Sequence, residues 1–254
     1  MILETESINF SYNSTPVLHD VSIVLKPGIT AIIGPNAAGK STLFRCLNRT
    51  LKPEGQVLLN GKSIKDYKPV ELAGYISYLP QNLSTRAVLT VFEMVLMGRL
   101  NQLGWFINRE DTRYTEQLLD EFGLSNLSSR YVSELSGGQF QLVAIAQALA
   151  REPSVLLLDE PSTSLDLNHQ FEIFSLIKKL TVARGICTAM SIHDINMAAR
   201  IADVIYVLES GRIINSGPPE SVLTEELIAS VYNVRACVGL DDDGRLLITP
   251  MGIK

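Results

Sequence analysis

Short runs of apolar residues recur along the chain, and residues that favour turns separate them. Runs of this length, rich in valine, isoleucine and leucine, predict β-strands. Val155–Leu158 is apolar at four consecutive positions without alternation, which predicts a strand covered on both faces of a parallel sheet. The strands predicted in this way are Ile2–Ile8, Val21–Leu25, Ile29–Ile33, Gln56–Leu59, Tyr75–Leu79, Val155–Leu158, Ile186–Ile192, Val204–Leu208, Arg212–Asn215, Val234–Val238 and Leu246–Thr249.

Other stretches have the three- and four-residue spacing of helices, and several begin at residues that favour helix N-termini. The capping box Thr90-Val91-Phe92-Glu93 is one such beginning. Helices are predicted from the face shared by Leu43, Phe44, Leu47 and Leu51, from the spacing of Tyr114, Leu118 and Phe122, from the Ala- and Leu-rich stretch Gly137–Ala150, from Ile173, Leu176, Ile177 and Leu180, and after the caps Asp194 and Thr224.

The order of these elements predicts a single α/β domain that covers residues 1–254. Residues 82–151 are mainly helical and lie between two parts that contain strands, so we expect an inserted helical subdomain. Residues 1–81 and 152–254 then build the core together, with an antiparallel β region near the N-terminus. The acidic stretch Asp241–Gly244 lacks the spacing of a calcium-binding loop, and we expect a solvated hairpin turn there.

Composition narrows the possible functions. A chain with 46% hydrophobic and 19% charged residues can bury a substantial core, and its net charge of −5 argues against binding a nucleic-acid backbone. The first ten residues lack the layout of a signal peptide, and no apolar run is long enough to span a bilayer. We therefore expect a cytoplasmic protein that serves a membrane process only by docking. Its cysteines have no CxxC spacing and are expected to be small buried residues: Cys46, Cys187 and Cys237.

A glycine-bearing segment joins the predicted strand Ile29–Ile33 to a predicted helix and ends in Gly-Lys-Ser. This order is typical of a phosphate-binding loop, in which backbone N–H groups and the positive end of the helix bind phosphate. We expect Lys40 to contact the β- and γ-phosphates of a nucleotide and the Ser41 hydroxyl to bind Mg²⁺. An ordinary glycine turn is the alternative. The loop residues are Gly34, Pro35, Asn36, Ala37, Ala38, Gly39, Lys40, Ser41 and Thr42.

Two acidic residues and a histidine follow strands that should end beside this loop. Asp159 stands where the buried strand stops, so its carboxylate can hold Mg²⁺, and Glu160 can orient or deprotonate an attacking water. An Asp-Glu pair alone is a weak signal, because strands often end in acidic residues. His193 ends the strand expected beside that one, and we expect it to contact the γ-phosphate. His19 and His169 have no such placement and are expected to be structural or surface residues.

A second segment has the features of an anion site. A serine and two glycines open the predicted helix Gly137–Ala150, so its N–H groups and dipole point at one place. A helix cap is the alternative, and the serine is expected to cap the helix in either case. The residues of this segment are Leu135, Ser136, Gly137, Gly138 and Gln139.

Together these motifs make the chain resemble the ATPase subunit of ABC transporters over about residues 2–234. The resemblance implies a P-loop NTPase core, ATP and Mg²⁺ as ligands, and a homodimer whose two copies face head to tail. Ser136 of each copy would then cap the γ-phosphate held by the other copy. The resemblance also identifies Tyr12 as the aromatic residue that stacks on adenine, Gln81 as the Q-loop residue with a role in catalysis and Mg²⁺ binding, Ser164, Leu165 and Asp166 as the D-loop with Asp166 at the nucleotide, and His193 as the switch histidine.

Two positions depart from the family pattern. Ala37 stands where the family usually has glycine, and its Cβ is expected to be tolerable only if the local φ is negative. Phe140 follows the signature where a polar or basic residue is usual. We expect Phe140 to alter packing around its helix without loss of activity.

Three stretches, Asp166–Gln170, His193–Arg200 and Val222–Val234, resemble the importers of iron chelates, haem and cobalamin. Molybdate and tungstate importers share these features and are an alternative. A non-transport ABC ATPase that acts on DNA or the ribosome is a further alternative, although the single cassette and acidic charge argue against it. A nucleotide-binding regulator that does not hydrolyse ATP is another alternative. Glu160 and His193 argue against it, because such a protein would not need them.

The resemblance also implies partners: permease subunits in the membrane, and an extracytoplasmic substrate-binding protein that acts through them. It implies a location at the cytoplasmic face of the membrane and no nucleic-acid partner. We expect the helical insert after Gln81 to dock on the permease, because it is unusually apolar. Met94 is expected to build the core of the insert, whereas Leu100–Phe106, with Trp105, is expected to be partly exposed at the docking surface.

Overall fold

The structure is a computed structural model, and it describes residues 1–81, 88–99, 107–162 and 165–253. Its strands are β1 Leu3–Tyr12, β2 Thr15–Val21, β3 Val24–Leu25, β4 Gly28–Ile33, β5 Glu54–Leu59, β6 Lys62–Ser63, β7 Ile76–Leu79, β8 Val155–Asp159, β9 Cys187–Ser191, β10 Val204–Glu209, β11 Arg212–Gly217, β12 Val234–Leu240 and β13 Leu246–Ile253. Its helices are α1 Lys40–Leu47, α2 Pro69–Tyr75, α3 Val91–Met97, α4 Arg109–Glu121, α5 Gly137–Leu149, α6 Leu167–Arg184, α7 Ile195–Ile201, α8 Pro219–Val222 and α9 Glu225–Val231.

Six of the described strands form the central sheet in the order β11-β10-β4-β9-β8-β7. All neighbouring pairs from β10 to β7 are parallel, and β11 is antiparallel to β10. Near the N-terminus, β1 pairs antiparallel with β2, β3 and β5 in a smaller sheet. These sheets confirm the predicted α/β class with an antiparallel N-terminal region. All residues of β8 are buried, which confirms the prediction made from Val155–Leu158.

The central sheet is covered on both faces, because successive side chains of a strand point to opposite sides. Along β8, Leu156 and Leu158 join a large apolar cluster that contains the helices α3, α4 and α5. Val155 and Leu157 join a second cluster, built from α1 and the N-terminal sheet. The division into residues 1–81, 82–151 and 152–254 stays a prediction.

Several local predictions are confirmed. Thr90 and Glu93 form the expected capping box of α3. The Asp194 side chain accepts from the Met197 N–H at 3.0 Å and caps α7, and the Thr224 side chain caps α9. Asp241–Gly244 forms the turn between β12 and β13, as expected.

Other boundaries differ from the predictions. The predicted strand Val21–Leu25 is two pieces, because β2 ends at Val21 and β3 begins at Val24. Tyr75 does not begin a strand but ends α2, a helix that sequence reasoning missed. The helix after the phosphate loop ends at Leu47, so Leu51 lies beyond it and packs against the second cluster from outside the helix.

A buried ion pair connects separate parts of the helical region, and it was not predicted. The Arg99 Nε donates to Asp111 Oδ1 at 2.9 Å, and both residues are buried. Arg99 also donates to the Ala150 carbonyl at 3.3 Å and to Glu152 at 3.1 Å. Because a buried charge must be paired, this network joins the ends of α3 and α5 to the start of α4.

The hairpin β12–β13 docks on the helix that follows β9. The Asn196 side-chain amide donates to the Ile248 carbonyl at 3.0 Å, and its oxygen accepts from the Ile248 N–H at 2.7 Å.

Cys237 lies on this hairpin and is exposed, so the expectation of burial is wrong for this cysteine. Its side chain lies on the outer face of a two-stranded element. Cys46 and Cys187 are buried, as expected. None of the helices in the described ranges is long and apolar enough to cross a membrane.

Candidate active site

A cavity of about 550 Å³ lies at the edge of the central sheet where β4, β8 and β9 end. It brings together most of the phosphate loop with the glutamine, glutamate and histidine predicted to act there. Sequence reasoning missed Val17, which is remote from Gly39 in sequence but lies beside it in the structure. The described residues that line the cavity are Val17, Asn36, Ala37, Ala38, Gly39, Lys40, Ser41, Thr42, Gln81, Glu160 and His193.

Two glycines of the phosphate loop are required by close approach. Gly34 has a φ of 147°, and a Cβ there would lie 1.9 Å from the Leu208 carbonyl oxygen. Gly39 has a φ of 106° and would bring a Cβ to 3.0 Å from the Leu18 side chain. Side chains at either position would therefore push the loop away from the neighbouring strands.

Ala37 has a φ of 61°, in the left-handed region. The expectation that alanine requires a negative φ at this position is therefore wrong. Ala37 is exposed in the lining of the cavity, so its side chain is not packed in the core. The remaining cost is the clash of Cβ with its own backbone, about 1–2 kcal/mol.

Lys40 is buried in the loop at the first position of α1. Its Nζ donates to the Gly34 carbonyl at 2.8 Å and to the Pro35 carbonyl at 2.9 Å. Burial lowers the pKa of Lys40, while the negative charges of Glu160 and Asp159 oppose that shift. A concentrated positive charge thus faces two carboxylates across the cavity.

The acidic pair at the end of β8 is held by polar side chains. Asp159 is buried, and its Oδ1 accepts from the Ser191 hydroxyl at 2.7 Å. The Tyr78 hydroxyl lies 3.4 Å from Asp159 Oδ2, and burial, followed by the charge of Asp159, raises the pKa of Tyr78 to about 12. Glu160 receives hydrogen bonds from Gln81 Nε2 on one oxygen and is paired with His193 Nε2 on the other.

Tyr12, predicted to stack on adenine, is 40% exposed at the end of β1 and is absent from the described lining of the cavity. Its ring meets Phe10 edge to face with centroids 4.9 Å apart. Hydrogen bonds with the hydroxyls of Tyr78 and Tyr12 raise the pKa of Arg45, which lies on α1. Tyr12 therefore stands beside the helix of the phosphate loop, and its contact with adenine stays a prediction.

The signature segment lies at the N-terminus of α5, and Ser136 caps this helix as expected. Its Oγ accepts from the Gln139 N–H at 3.3 Å, while Gln139 Oε1 accepts from the Ser136 N–H at 3.1 Å. Ser136 and Gly137 are exposed. Among the described residues that line the cavity, none comes from this segment.

Asp166 caps α6, and the His169 side chain connects it to the signature segment. Its Oδ1 accepts from the His169 N–H at 2.9 Å, and this hydrogen bond lowers the pKa of Asp166. The His169 ring packs on Gly138, where a Cβ would lie only 3.2 Å from it, so His169 is structural, as expected. Ser164 of the predicted D-loop lies outside the described residues.

In the helical insert that is expected to dock on the permease, Met94 is buried in the core, as expected. Met97 is 40% exposed. Leu100–Phe106, including Trp105, lies outside the described residues. Phe140 is partly buried and packs against the large apolar cluster, and its expected effect on packing and activity stays a prediction.

One further residue was missed because it is remote in sequence. Tyr232 follows α9 and is half-buried against the large apolar cluster. Burial raises the pKa of Tyr232 to about 12, and a hydrogen bond with the Gly34 backbone opposes this shift. The C-terminal part of the chain therefore lies close to the first residue of the phosphate loop.

The sequence model of the ABC transporter family matches residues 18–163. That range contains the phosphate loop, the signature segment and the acidic pair described above. The chain belongs to the ABC transporter family. It is the ATP-binding, ATP-hydrolysing subunit of an ABC transporter complex.

Similar proteins cover nearly the whole chain. The ferric enterobactin transport ATP-binding protein of Escherichia coli is 37% identical, over 98% of this chain and 94% of that protein. The iron(3+)-hydroxamate import ATP-binding protein of Bacillus subtilis is 37% identical, over 94% and 90%. A chain from a solved structure, described as an inward-facing conformation of a metal-chelate type ABC transporter, has a TM-score of 0.85 and 28% identity, over 98% of this chain and 96% of that chain.

Proposed function

We propose that this ATPase drives an importer of metal chelates, of the iron-siderophore, haem or cobalamin kind. The observation that carries the proposal is the extent of similarity: relatives named for siderophore and cobalamin import match the chain over more than nine tenths of its length. The relatives named here give no support to the molybdate or tungstate alternative. An ATPase subunit is not expected to contact the cargo, so similarity alone supports this step.

We propose that the phosphate loop binds the triphosphate of ATP. Lys40 would exchange its contacts with the loop carbonyls for contacts with the β- and γ-phosphates. The N–H groups that follow Gly39 and the positive end of α1 favour the same anion. The hydrogen bonds of Lys40 Nζ to two loop carbonyls, at 2.8 and 2.9 Å, support this proposal. They place the positive charge of the side chain within the phosphate loop.

The residues beside the loop fit Mg²⁺, which prefers oxygen ligands and is commonly held by one or two protein groups together with phosphates. Asp159 and the Ser41 hydroxyl would hold it, with Gln81 beside them. Within the described part of the chain, no group of three or more His, Cys, Asp or Glu side chains could hold a metal by itself. The phosphates of ATP would therefore complete the coordination. When bound, Mg²⁺ neutralises charge on those phosphates.

We propose that Glu160 orients and deprotonates the attacking water. Its carboxylate is about nine-tenths buried and is contacted by Gln81 and His193, so both of its oxygens are already engaged at the cavity. His193 would contact the γ-phosphate and stabilise the charge that develops on it. Such an arrangement can hydrolyse the nucleotide only when water and phosphate are aligned between these groups.

A homodimer is supported by the separation of the two anion sites within one chain. Ser136 is exposed at the start of α5, and its segment supplies no described residue to the cavity that holds Lys40. A second copy placed head to tail would bring Ser136 to the γ-phosphate and Asp166 to the edge of the shared site. ATP would then join the two copies, and loss of the γ-phosphate would release them.

We propose that the dimer docks on permease subunits at the cytoplasmic face of the membrane, with a substrate-binding protein acting on the other side. The acidic net charge of −5 gives no support to a nucleic-acid partner. The test is reconstitution with candidate permeases and their binding proteins in vesicles. We expect a chelate-loaded binding protein to stimulate ATP hydrolysis and uptake, and stimulation by molybdate-loaded protein instead would overturn the cargo proposal.

A further inference from the structure

Ser191 is a polar residue that sequence reasoning did not select, at the end of the buried strand β9. Its side chain is completely buried. In the parallel ladder, Ser191 is the residue of β9 that lies opposite Asp159 of β8. A hydroxyl at this position therefore faces the residue that ends the neighbouring strand.

The Ser191 hydroxyl makes two hydrogen bonds, one to each residue of the acidic pair. It donates to Asp159 Oδ1 at 2.7 Å and accepts from the Glu160 backbone N–H at 2.8 Å. Both distances are typical of well-formed hydrogen bonds. One hydroxyl thus connects the proposed Mg²⁺ ligand to the backbone of the proposed base.

The bond to Glu160 matters because of its backbone conformation. Glu160 has a φ of 51°, in the left-handed region that side chains other than glycine seldom adopt. Such a conformation persists only when the surrounding structure holds it. The Glu160 N–H lies just beyond the end of β8, and it finds its partner in the Ser191 hydroxyl rather than in the sheet.

The bond to Asp159 fixes the rotation of that carboxylate. Ser191 engages Oδ1, which leaves Oδ2 beside Tyr78 at 3.4 Å. Removing the hydroxyl would leave a buried carboxylate oxygen and a backbone N–H without this partner. An unpaired buried group is costly, so both would turn toward other partners or water.

We propose that Ser191 is a positioning residue that orients Asp159 and Glu160 together. The inference rests on the proposed roles of these two acids. In this arrangement the proposed Mg²⁺ ligand and the backbone of the proposed base both hydrogen-bond to the same Ser191 hydroxyl. A shift of β9 relative to β8 would therefore move both groups in the same direction.

The test compares three variants of the full-length ATPase by steady-state hydrolysis, ATP binding and Mg²⁺ titration. For Ser191→Ala we expect a loss of about 10- to 100-fold in kcat, as for other partners that orient metal ligands, with a raised half-saturating Mg²⁺ concentration. The KM for ATP should change little, because the phosphate loop is intact. Glu160→Gln serves as the reference for loss of the base.

Thr188→Ala is the matched control. Thr188 lies on the same strand, is buried, and shares a hydroxyl hydrogen bond of 2.7 Å with Thr181, away from the cavity. It should lower the melting temperature while leaving kcat and the Mg²⁺ dependence unchanged. An equal loss of kcat in this control would show that Ser191→Ala acts through stability alone, and would overturn the inference.

A double variant separates the inference from the function on which it rests. If Ser191 acts through Glu160, adding Ser191→Ala to Glu160→Gln should reduce single-turnover hydrolysis by far less than the product of the separate effects. Normal kcat and Mg²⁺ dependence in Ser191→Ala, with Glu160→Gln inactive, would refute the positioning role alone. Rapid turnover in Glu160→Gln itself would instead refute the proposed role of the base.

Discussion

The left-handed alanine of the phosphate loop gives a quantitative prediction about stability. Ala37 has a φ of 61° and an exposed methyl group, so its Cβ contributes strain without contributing burial. Replacing it by glycine removes a conformational cost of about 1–2 kcal/mol. Glycine also increases the entropy of the unfolded chain, which costs about 0.4–1 kcal/mol. We expect Ala37→Gly to raise the free energy of unfolding by about 1 kcal/mol.

Ala38→Gly is the matched control in the same loop. Ala38 is 4% exposed and is not in the left-handed region. Glycine there loses a buried methyl group, about 0.8 kcal/mol, and gains no relief of strain. Together with the entropy of the unfolded chain, we expect the free energy of unfolding to fall by about 1–2 kcal/mol.

The assay is denaturant unfolding of both variants and the parent protein without nucleotide, because a bound ligand would add its own stabilisation. A change of 1 kcal/mol corresponds to about 2–4 °C in melting temperature for a domain of this size. Opposite signs for the two variants would support the strain assigned to Ala37. A loss of stability in Ala37→Gly equal to that in Ala38→Gly would refute it.

Four further predictions concern activity and assembly. Glu160→Gln should bind ATP and dimerise while its turnover falls at least 100-fold, which stopped-flow phosphate release would measure; brisk release would count against the proposed base. Lys40→Ala should weaken ATP binding at least tenfold in calorimetry, and unchanged affinity would contradict its phosphate contact. Ser136→Arg should leave ATP binding by the single chain intact but prevent ATP-dependent dimers in size-exclusion chromatography, and normal dimers would contradict a shared site. Trp105→Ala should reduce retention by the permease in a pulldown, and undiminished retention would argue against docking through Leu100–Phe106.

Sequence alone predicted what depends on neighbouring residues. Val155–Leu158 identified a strand buried on both faces, because four apolar residues in a row leave no face for water. Capping boxes and cap residues identified the start of α3, α5, α7 and α9, because the side chain bonds a backbone N–H three residues away. The cavity was predicted from a general rule of topology instead, since parallel strands end at one edge of the sheet.

Features that depend on packing between distant segments were missed or mistaken. The helix α2 is seven residues long and buries only Leu72, so its sequence lacks the repeated apolar spacing that predicts a helix. The condition set for Ala37, a negative φ, is wrong because the rest of the loop imposes a φ of 61° on this residue. Ser191 carried no signal in the sequence, since its importance lies in which strand stands beside it.

The contact between Gly138 and His169 has a consequence for how the proposed dimer closes. A methyl group at position 138 would displace the imidazole, and the imidazole shares a hydrogen bond of 2.8 Å with Asp166 at the start of α6. The first turns of α5 and α6 are therefore connected through the His169 side chain. In the proposed dimer, Ser136 and Asp166 would therefore reach the opposite nucleotide together, in one event rather than in two separate encounters.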